Sequence, residues 1–176
     1  QRLSTLTTRF EKNLLAGTND LAVVIDDVAE LAGLEPGEIS AAAEAAKERG
    51  LEGKYLVTLV LPTGHPFLSA LTDREVRARI MAASRARGSR GGEWDNSEIV
   101  LEITRLRAER AKLLGFDSHA AWVIADETAK TPQNVAAMLD RLAVPAAKNA
   151  REEQADLEAQ AGPAIEAHDW AFYPQT

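Results

Sequence analysis

The sequence contains no cysteine, and that absence excludes several kinds of site at once. Disulfide bonds, thiolate metal ligands and a cysteine nucleophile all require a side chain that this protein does not have. A cysteine-free sequence also fits a reducing compartment, and we expect a cytoplasmic protein.

Long apolar runs are missing as well. No run approaches the roughly 20 residues that span a bilayer, and the N-terminal stretch lacks the apolar core of a secretory signal. The net charge is -7, and an acidic chain repels phosphate backbones. We therefore expect neither membrane insertion nor general nucleic-acid binding.

Aromatic residues are scarce, at 5% of 176 residues, whereas the 45% hydrophobic and 27% charged fractions are ordinary for a soluble domain. Alanine, leucine, glutamate and arginine are abundant, and these residues lose little conformational freedom in a helix. The composition predicts a mainly α fold.

Two short apolar runs are typical of strands. Residues 21–25 (LAVVI) and 54–61 (KYLVTLVL) are rich in β-branched side chains and are bounded by turn formers. Because they are the only such runs, we expect a minor two-stranded β element. The prolines of residues 62–66 predict a loop after the second strand.

Turn and capping signals predict the helix boundaries. We expect a turn at residues 17–20 and capping boxes at 72–75 and 95–98. We also expect Asp26 and Asp27 to cap a short helix through Leu31, and Ser118 to cap a short helix through Ala125. A last helix begins at Thr131 and Pro132 and runs towards residue 161, with a kink or a break near Pro145. The whole chain is predicted to be one helical segment, with the β element in residues 1–66 and helices alone in 67–176.

Metal ligation and nucleophilic catalysis find no support in the residue pattern. A zinc peptidase needs two histidines one helical turn apart, with a glutamate beside the first. The three histidines, His65, His119 and His168, are far apart in sequence. No serine lies in a nucleophile elbow and no glycine-rich stretch has the lysine of a phosphate loop. We expect no catalytic or metal-binding residue here.

Residues 85–92 are rich in arginine and glycine. One interpretation is a basic loop, formed by Arg85, Arg87 and Arg90, that captures a peptide carboxylate or an RNA phosphate. The other is a solvated loop at a helix C-terminus, where arginine complements the helix dipole. The second is favoured because no aromatic platform is interleaved with the arginines.

Seven stretches, taken together and in order, resemble the thimet oligopeptidase family of zinc metallopeptidases, which includes oligopeptidase A and peptidyl-dipeptidase. They cover nearly the whole chain, and their residues are most similar to those of the peptidyl-dipeptidase branch. They are FEKNLLAGTND, DDVAELAGL, AAAEAAKERGLEGKYLVTL, DREVRARIMAASRARG, WDNSEIVLEITRLRAERAKLLGF, HAAWVIADETAKTPQNVAAML and HDWAFY.

The resemblance implies a two-lobed helical enzyme with zinc in a channel between the lobes. Such enzymes cleave short peptides, and the peptidyl-dipeptidase branch releases dipeptides from the free C-terminus. Zinc held by an H-E-x-x-H motif and a later glutamate would activate water. That motif lies beyond the part of the family that matches residues 168–173. No catalytic or zinc residue can therefore be carried over to this sequence.

An internal segment of such an enzyme would act as scaffold and channel wall, packed against the remainder of the parent chain and inactive alone. In the family a helix continues past the position of Tyr173, whereas here Pro174 follows and the chain ends at Thr176. We expect the loop after the second strand to line the substrate cleft with Thr63, Gly64 and His65, because loops on rigid strands often carry binding.

A second interpretation is a free-standing helical module that binds peptides or proteins without cleaving them. A segment cut from a larger fold should expose apolar patches and associate with itself, whereas an evolved module should be monodisperse. A third, an RNA-binding helical protein, is disfavoured by the acidic charge.

Overall fold

The computed structural model describes residues 1–60, 64–162 and 164–173, and the side chains at positions 64 and 65 lie outside that description. Two short strands and a 3₁₀ helix at Val28–Leu31 accompany the α-helices. The predicted mainly α fold with a minor two-stranded element is confirmed. The elements are α1 (Arg2–Asp20), β1 (Val23–Ile25), α2 (Pro36–Glu48), β2 (Tyr55–Val57), α3 (Gly64–Ala70), α4 (Arg74–Arg85), α5 (Ser97–Leu113), α6 (His119–Ile124) and α7 (Pro132–Ala161).

The chain divides into two compact units, each assembled from two stretches of sequence. The first comprises residues 1–11 and 96–155, and the second comprises 12–95 and 156–176. The main hydrophobic core lies in the second unit, where the sheet, the 3₁₀ helix, α3 and α4 bury their apolar faces. Its members are Val23, Ile25, Leu31, Leu34, Val57, Leu59, Phe67, Leu68, Leu71, Val76 and Ile80.

The sheet is antiparallel, and both strands are shorter than predicted. Val23 pairs with Val57 and Ile25 pairs with Tyr55. The predicted strand over residues 54–61 ends at Val57 because β1 supplies only three residues to pair with. Beyond that point Leu59 is buried in the core although it belongs to no strand. The apolar run therefore continues past the strand because Leu59 packs into the core, whereas Val60 is 44% exposed.

The predicted turn at residues 17–20 is wrong, because α1 continues to Asp20. Gly17 lies inside the helix, where a Cβ atom would stand 3.3 Å from the Cβ of Trp94. The glycine therefore permits close packing against the tryptophan and does not end the helix. Thr18 stays helical by donating its hydroxyl to the carbonyl of Leu14 at 2.7 Å.

The loop predicted over residues 62–66 is also wrong in part. Its last three residues form the first turn of α3, and the first two lie outside the described residues. Proline is tolerated at Pro66 because the N–H groups of a first helical turn have no acceptor within the helix.

Two predicted caps are displaced by one residue. Asp73, not Thr72, caps α4, and its carboxylate accepts from the backbone N–H of Glu75 and Val76. Thr72 donates instead to the carbonyl of Ala32 at 3.1 Å. The Asp73 carboxylate accepts two backbone N–H groups and so provides the cap, and the threonine joins two loops.

The second displaced cap precedes α5. Asn96, not Asp95, occupies the N-cap position, and its side chain makes no capping hydrogen bond. Its amide donates to the carbonyl of Phe10 at 3.0 Å, while the Asp95 carboxylate accepts from the N–H of Gly91. The predicted caps of the 3₁₀ helix by Asp27 and of α6 by Ser118 are confirmed.

Helix α7 runs through Pro145, so it does not break there, and the alternative of a kink stays a prediction. Its apolar residues divide into two groups. Leu157 is 1% exposed in the second unit, whereas Leu139 and Val144 of the first unit are 54% and 75% exposed. No helix among the described residues is both long and apolar enough to cross a membrane.

Candidate functional site

The predicted cleft residues fall at the edge of what the structure describes. Thr63 lies outside the described residues, as do the side chains of Gly64 and His65, whose backbone begins α3. Their role in lining a substrate cleft stays a prediction.

A buried carboxylate organises the chain after α7. Asp169 lies in a series of turns over residues 167–172 and is 1% exposed. Its two oxygens accept hydrogen bonds from three residues, two through their side chains and one through its backbone. Arg77 donates from Nη2 at 2.8 Å, Arg74 donates from Nη2 at 2.8 Å and from Nε at 3.0 Å, and the N–H of Glu166 donates at 3.0 Å. We call Arg74, Arg77 and Asp169 the Arg–Asp cluster.

Arg77 is the buried cation of this cluster, and helix α4 positions it. Its residue is only 1% exposed. Its Nη1 atom donates to the carbonyls of Leu71 and Thr72, at 2.8 and 3.1 Å. The ring of Phe172 lies over the guanidinium, with the carbon atom 4.1 Å from the ring centroid. The aromatic face and the carbonyls replace water around a charge that would otherwise be costly to bury.

The charges of the cluster shift the pKa of Asp169 and the pKa of Arg74. Burial disfavours the charged form of Asp169, but the hydrogen bonds from Arg74 and Arg77 outweigh it and hold the pKa of this carboxyl well below its usual range. The hydrogen bond to Asp169 in turn raises the pKa of Arg74. Asp169 and Arg74 are therefore both charged at neutral pH.

A small cavity of about 220 Å³ adjoins the half-exposed side of the cluster. Arg74 and Asp169 form its polar wall, and Tyr173 and the turn after α7 form the remainder. Because Arg74 and Asp169 already satisfy each other, the cavity offers an incoming ligand little unpaired charge. The geometry indicates that the cluster fixes residues 164–173 onto α4.

The described residues do not supply a metal site. No group of three or more histidine, aspartate or glutamate side chains that could hold a metal ion occurs among them. His168 is almost completely buried, and its Nε2 atom lies 3.6 Å from the Asp169 carboxylate, beyond hydrogen-bonding distance. No zinc chemistry is derived from this part of the chain.

The first unit contains a second cationic arrangement. Arg110 of α5 places its guanidinium carbon 4.2 Å from the ring centroid of Trp122, and the His119 ring lies 5.6 Å from the same indole. Burial lowers the pKa of His119, and the charges of Arg107 and Arg110 lower it further. The histidine is therefore neutral at physiological pH, and the positive charge of this surface comes from the arginines.

The arginine-rich loop is engaged within the protein. Arg87 donates to the carbonyl and the hydroxyl of Ser84, each at 2.9 Å. Arg90 forms an ion pair with Asp20. These contacts favour the interpretation as a loop that closes a helix C-terminus over the interpretation as an anion-capture loop.

Sequence reasoning did not find the Arg–Asp cluster. Asp169 belongs to the HDWAFY stretch that contributed to the family resemblance, but its partners lie more than 90 residues earlier in α4. The available signal was the position of Arg77 beside Val76, next to the apolar stripe that continues at Ile80. A charged residue so close to that stripe indicates a buried partner elsewhere in the chain.

Comparison with known sequences supports the family resemblance found in the sequence. The sequence model for peptidase family M3 matches residues 67–176, more than half of the chain. The dipeptidyl carboxypeptidases of Salmonella typhimurium and Escherichia coli are 38% and 37% identical to 98% of this chain. Oligopeptidase A of Haemophilus influenzae is 37% identical over 89% of it. The chain spans about a quarter of the length of these relatives, namely 26%, 26% and 23%.

Proposed function

Because this chain belongs to peptidase family M3, we propose that it is a segment of a longer zinc peptidase that cleaves short peptides and releases dipeptides from their free C-terminus. The observation that carries the proposal is a match of 98% of this chain to 26% of two dipeptidyl carboxypeptidases. Dipeptide release is proposed because both of those relatives are named for that activity. Oligopeptidase A is similar over a smaller part of the chain.

The segment serves the parent enzyme as scaffold and channel wall, and it has no catalytic activity of its own. The match of this chain to only about a quarter of the length of its relatives supports this division of labour. Zinc and the residues that activate water would then belong to the remainder of the parent chain.

The surface of the first unit supports a segment of a larger fold over a free-standing binding module. Four large apolar side chains of α7 are between 45% and 75% exposed. Monomeric proteins rarely leave such a group uncovered. The four are Met138, Leu139, Leu142 and Val144.

The test compares the parent polypeptide with the 176-residue chain. Both are incubated with a hexapeptide that has a free C-terminus and with its C-terminally amidated form, and the products are identified by mass spectrometry. We expect the parent to release dipeptides from the free peptide only, to lose activity with a zinc chelator and to regain it with zinc. The 176-residue chain should cleave neither peptide.

Two results would contradict the proposal. A parent reading frame that ends near Thr176 would exclude the enzyme interpretation. The free-standing binding module would then be the better interpretation. Cleavage by the 176-residue chain itself would disprove the scaffold role.

Thr63, Gly64 and His65 are proposed to line the substrate cleft of the parent. Replacement of His65 by alanine in the complete enzyme should raise KM for peptides, while the same replacement at the exposed Glu109 should not. Unchanged peptide kinetics for the His65 variant would remove this residue from the cleft.

A further inference from the structure

A groove of about 530 Å³ runs between α1 and α5 in the first unit. One wall carries hydroxyl groups, and the opposite wall carries two arginines one helical turn apart. The lining residues are Gln1, Leu3, Ser4, Thr7, Thr8, Glu11, Arg107 and Arg110. A concave surface with a few convergent polar groups is the usual form of a small-ligand site.

The two arginines have no ionic partner in the part of the chain that the structure describes. Among residues 1–60, 64–162 and 164–173, the side chains of Arg107 and Arg110 make no ion pair and no hydrogen bond. By contrast, the arginines of the second unit that face an acceptor, such as Arg74, Arg77 and Arg79, are each paired with a carboxylate. Two unpaired cations in one groove are notable in a chain whose net charge is -7.

Arg110 is held in place before any ligand arrives. Its guanidinium stacks on Trp122, and its Nε atom is buried without a hydrogen-bond partner among the described residues. Stacking fixes the plane of the guanidinium, so less rotational freedom is lost when the terminal amines meet an acceptor. His119, whose ring lies 5.6 Å from the same indole, also has a buried Nδ1 atom with no described partner.

We propose that this groove binds the carboxylate of a peptide, with Arg107 and Arg110 as the carboxylate-binding residues and the hydroxyls of Ser4, Thr7 and Thr8 beside them. A planar guanidinium matches a carboxylate with two parallel hydrogen bonds. The choice of a peptide as the carrier rests on the proposed function, whereas the choice of a carboxylate rests on the groove itself. The site would lie in the segment proposed as scaffold, outside the part of the parent that holds the zinc ligands.

Glu11 limits what the groove accepts. Its carboxylate lines the same groove and repels a second negative charge, so a ligand with a single carboxylate is favoured over a phosphate or a dicarboxylate. Replacement by glutamine should therefore tighten the binding of a carboxylate. The same replacement at Glu109, which is on α5 but not in the groove, should not.

The experiment uses the 176-residue chain labelled with ¹⁵N, and the indole N–H signal of Trp122 as the reporter. Three peptides are titrated at physiological ionic strength. The first is unblocked tetra-alanine, the second is its C-terminally amidated form, and the third is an acetylated and amidated pentapeptide with one central glutamate. We expect the unblocked tetra-alanine or the glutamate pentapeptide to shift the Trp122 signal, and the amidated tetra-alanine to leave it unchanged.

The variants separate a groove from a general charge effect. Arg107→Gln and Arg110→Gln should each weaken binding roughly tenfold, since each removes a charge-assisted hydrogen bond. Arg105→Gln removes the same charge from the same helix outside the groove and should bind as the wild type does. Arg107 and Arg105 are both exposed, and far-UV circular dichroism checks that these variants keep their helices.

The outcomes assign the ligand or overturn the site. A shift with unblocked tetra-alanine identifies the C-terminal carboxylate, and a shift with the glutamate peptide identifies an acidic side chain. No shift with either peptide up to about 10 mM, or equal binding by Arg107→Gln and the wild type, would overturn the proposal. Because no hydrolysis is measured, that failure leaves the peptidase proposal to its own test in the parent.

Discussion

Replacement of Asp169 by asparagine is the sharpest test of what holds the second unit together. Asparagine has the same shape as aspartate, so the substitution removes charge without creating a cavity. It leaves the Arg77 guanidinium, which is 1% exposed, without its carboxylate. The remaining contacts of Arg77, two carbonyls and the ring of Phe172, cannot neutralise a full positive charge.

The expected loss is about 3 kcal/mol in the free energy of unfolding. Removal of one partner of a buried ion pair costs about 3–5 kcal/mol, because the other charge stays buried and uncompensated. The lower end applies here because the new amide keeps one oxygen that can accept from an arginine. Replacing both partners by apolar residues, Arg77→Met with Asp169→Leu, should cost less than the single change.

The loss should depend on pH in a defined direction. The pKa of Asp169 is lower in the folded protein than in the unfolded chain, so the unfolded chain binds more protons in acid. The stability from this carboxylate is therefore complete above the unfolded pKa of about 4 and is lost as the pH falls towards the folded pKa. The difference between wild type and Asp169→Asn should be largest near neutral pH and should narrow below about pH 4.

Urea unfolding followed by far-UV circular dichroism, at pH 7 and at pH 3, measures both effects. The control is Asp26→Asn, which makes the same chemical change at an exposed ion pair with Lys54. It should leave the unfolding midpoint almost unchanged, because water screens exposed pairs. A loss below about 1 kcal/mol for Asp169→Asn at pH 7, or a difference that does not narrow in acid, would refute the reasoning.

Three further predictions concern other parts of the chain. Gly33→Ala should lower the melting temperature, because Gly33 has a φ of +101° and its Cβ would stand 2.0 Å from a backbone oxygen. Gly37→Ala should raise the melting temperature, because Gly37 lies inside α2 with open space around it. Leu157→Ala should cost about 2–5 kcal/mol in urea unfolding, and a smaller loss would mean that the site is not packed as described. Arg107→Gln should raise the pKa of His119 in an NMR titration but not to its ordinary value, since burial is the larger cause of the lowering.

The sequence predicted well what depends on local signals. Short-range caps at Asp27 and Ser118, the start of α7 at Pro132 and the number of strands all follow from residues within one turn of each other. The failures share a cause, which is that a distant neighbour decides the local conformation. Gly17 stays helical because Trp94 packs on it. A sequence pattern taken over ten consecutive residues does not include this contact.

The candidate sites were harder to predict for the same reason. The partners of Asp169 and the groove between α1 and α5 each bring together residues about 90 or more positions apart. A side chain such as Arg77 can be identified from sequence as misplaced near an apolar stripe, but its acceptor cannot be assigned without the fold. The exposed apolar side chains of α7, such as Leu139, show a further limit, because a helical stripe indicates that a face needs a cover but not which part of the protein covers it.

The sequence separation within the Arg–Asp cluster has a consequence for the lifetime of the fold. Arg77 and Asp169 are 92 residues apart, so at about 5–20 residues per second a ribosome needs roughly 5 to 18 seconds to add the carboxylate after the arginine. Closing a loop of that length costs about 4 kcal/mol in chain entropy, which favours late formation. An interaction that forms after the rate-limiting step scarcely changes how fast a protein folds. The Arg–Asp cluster should instead slow unfolding, and so set how long the second unit persists once it has formed.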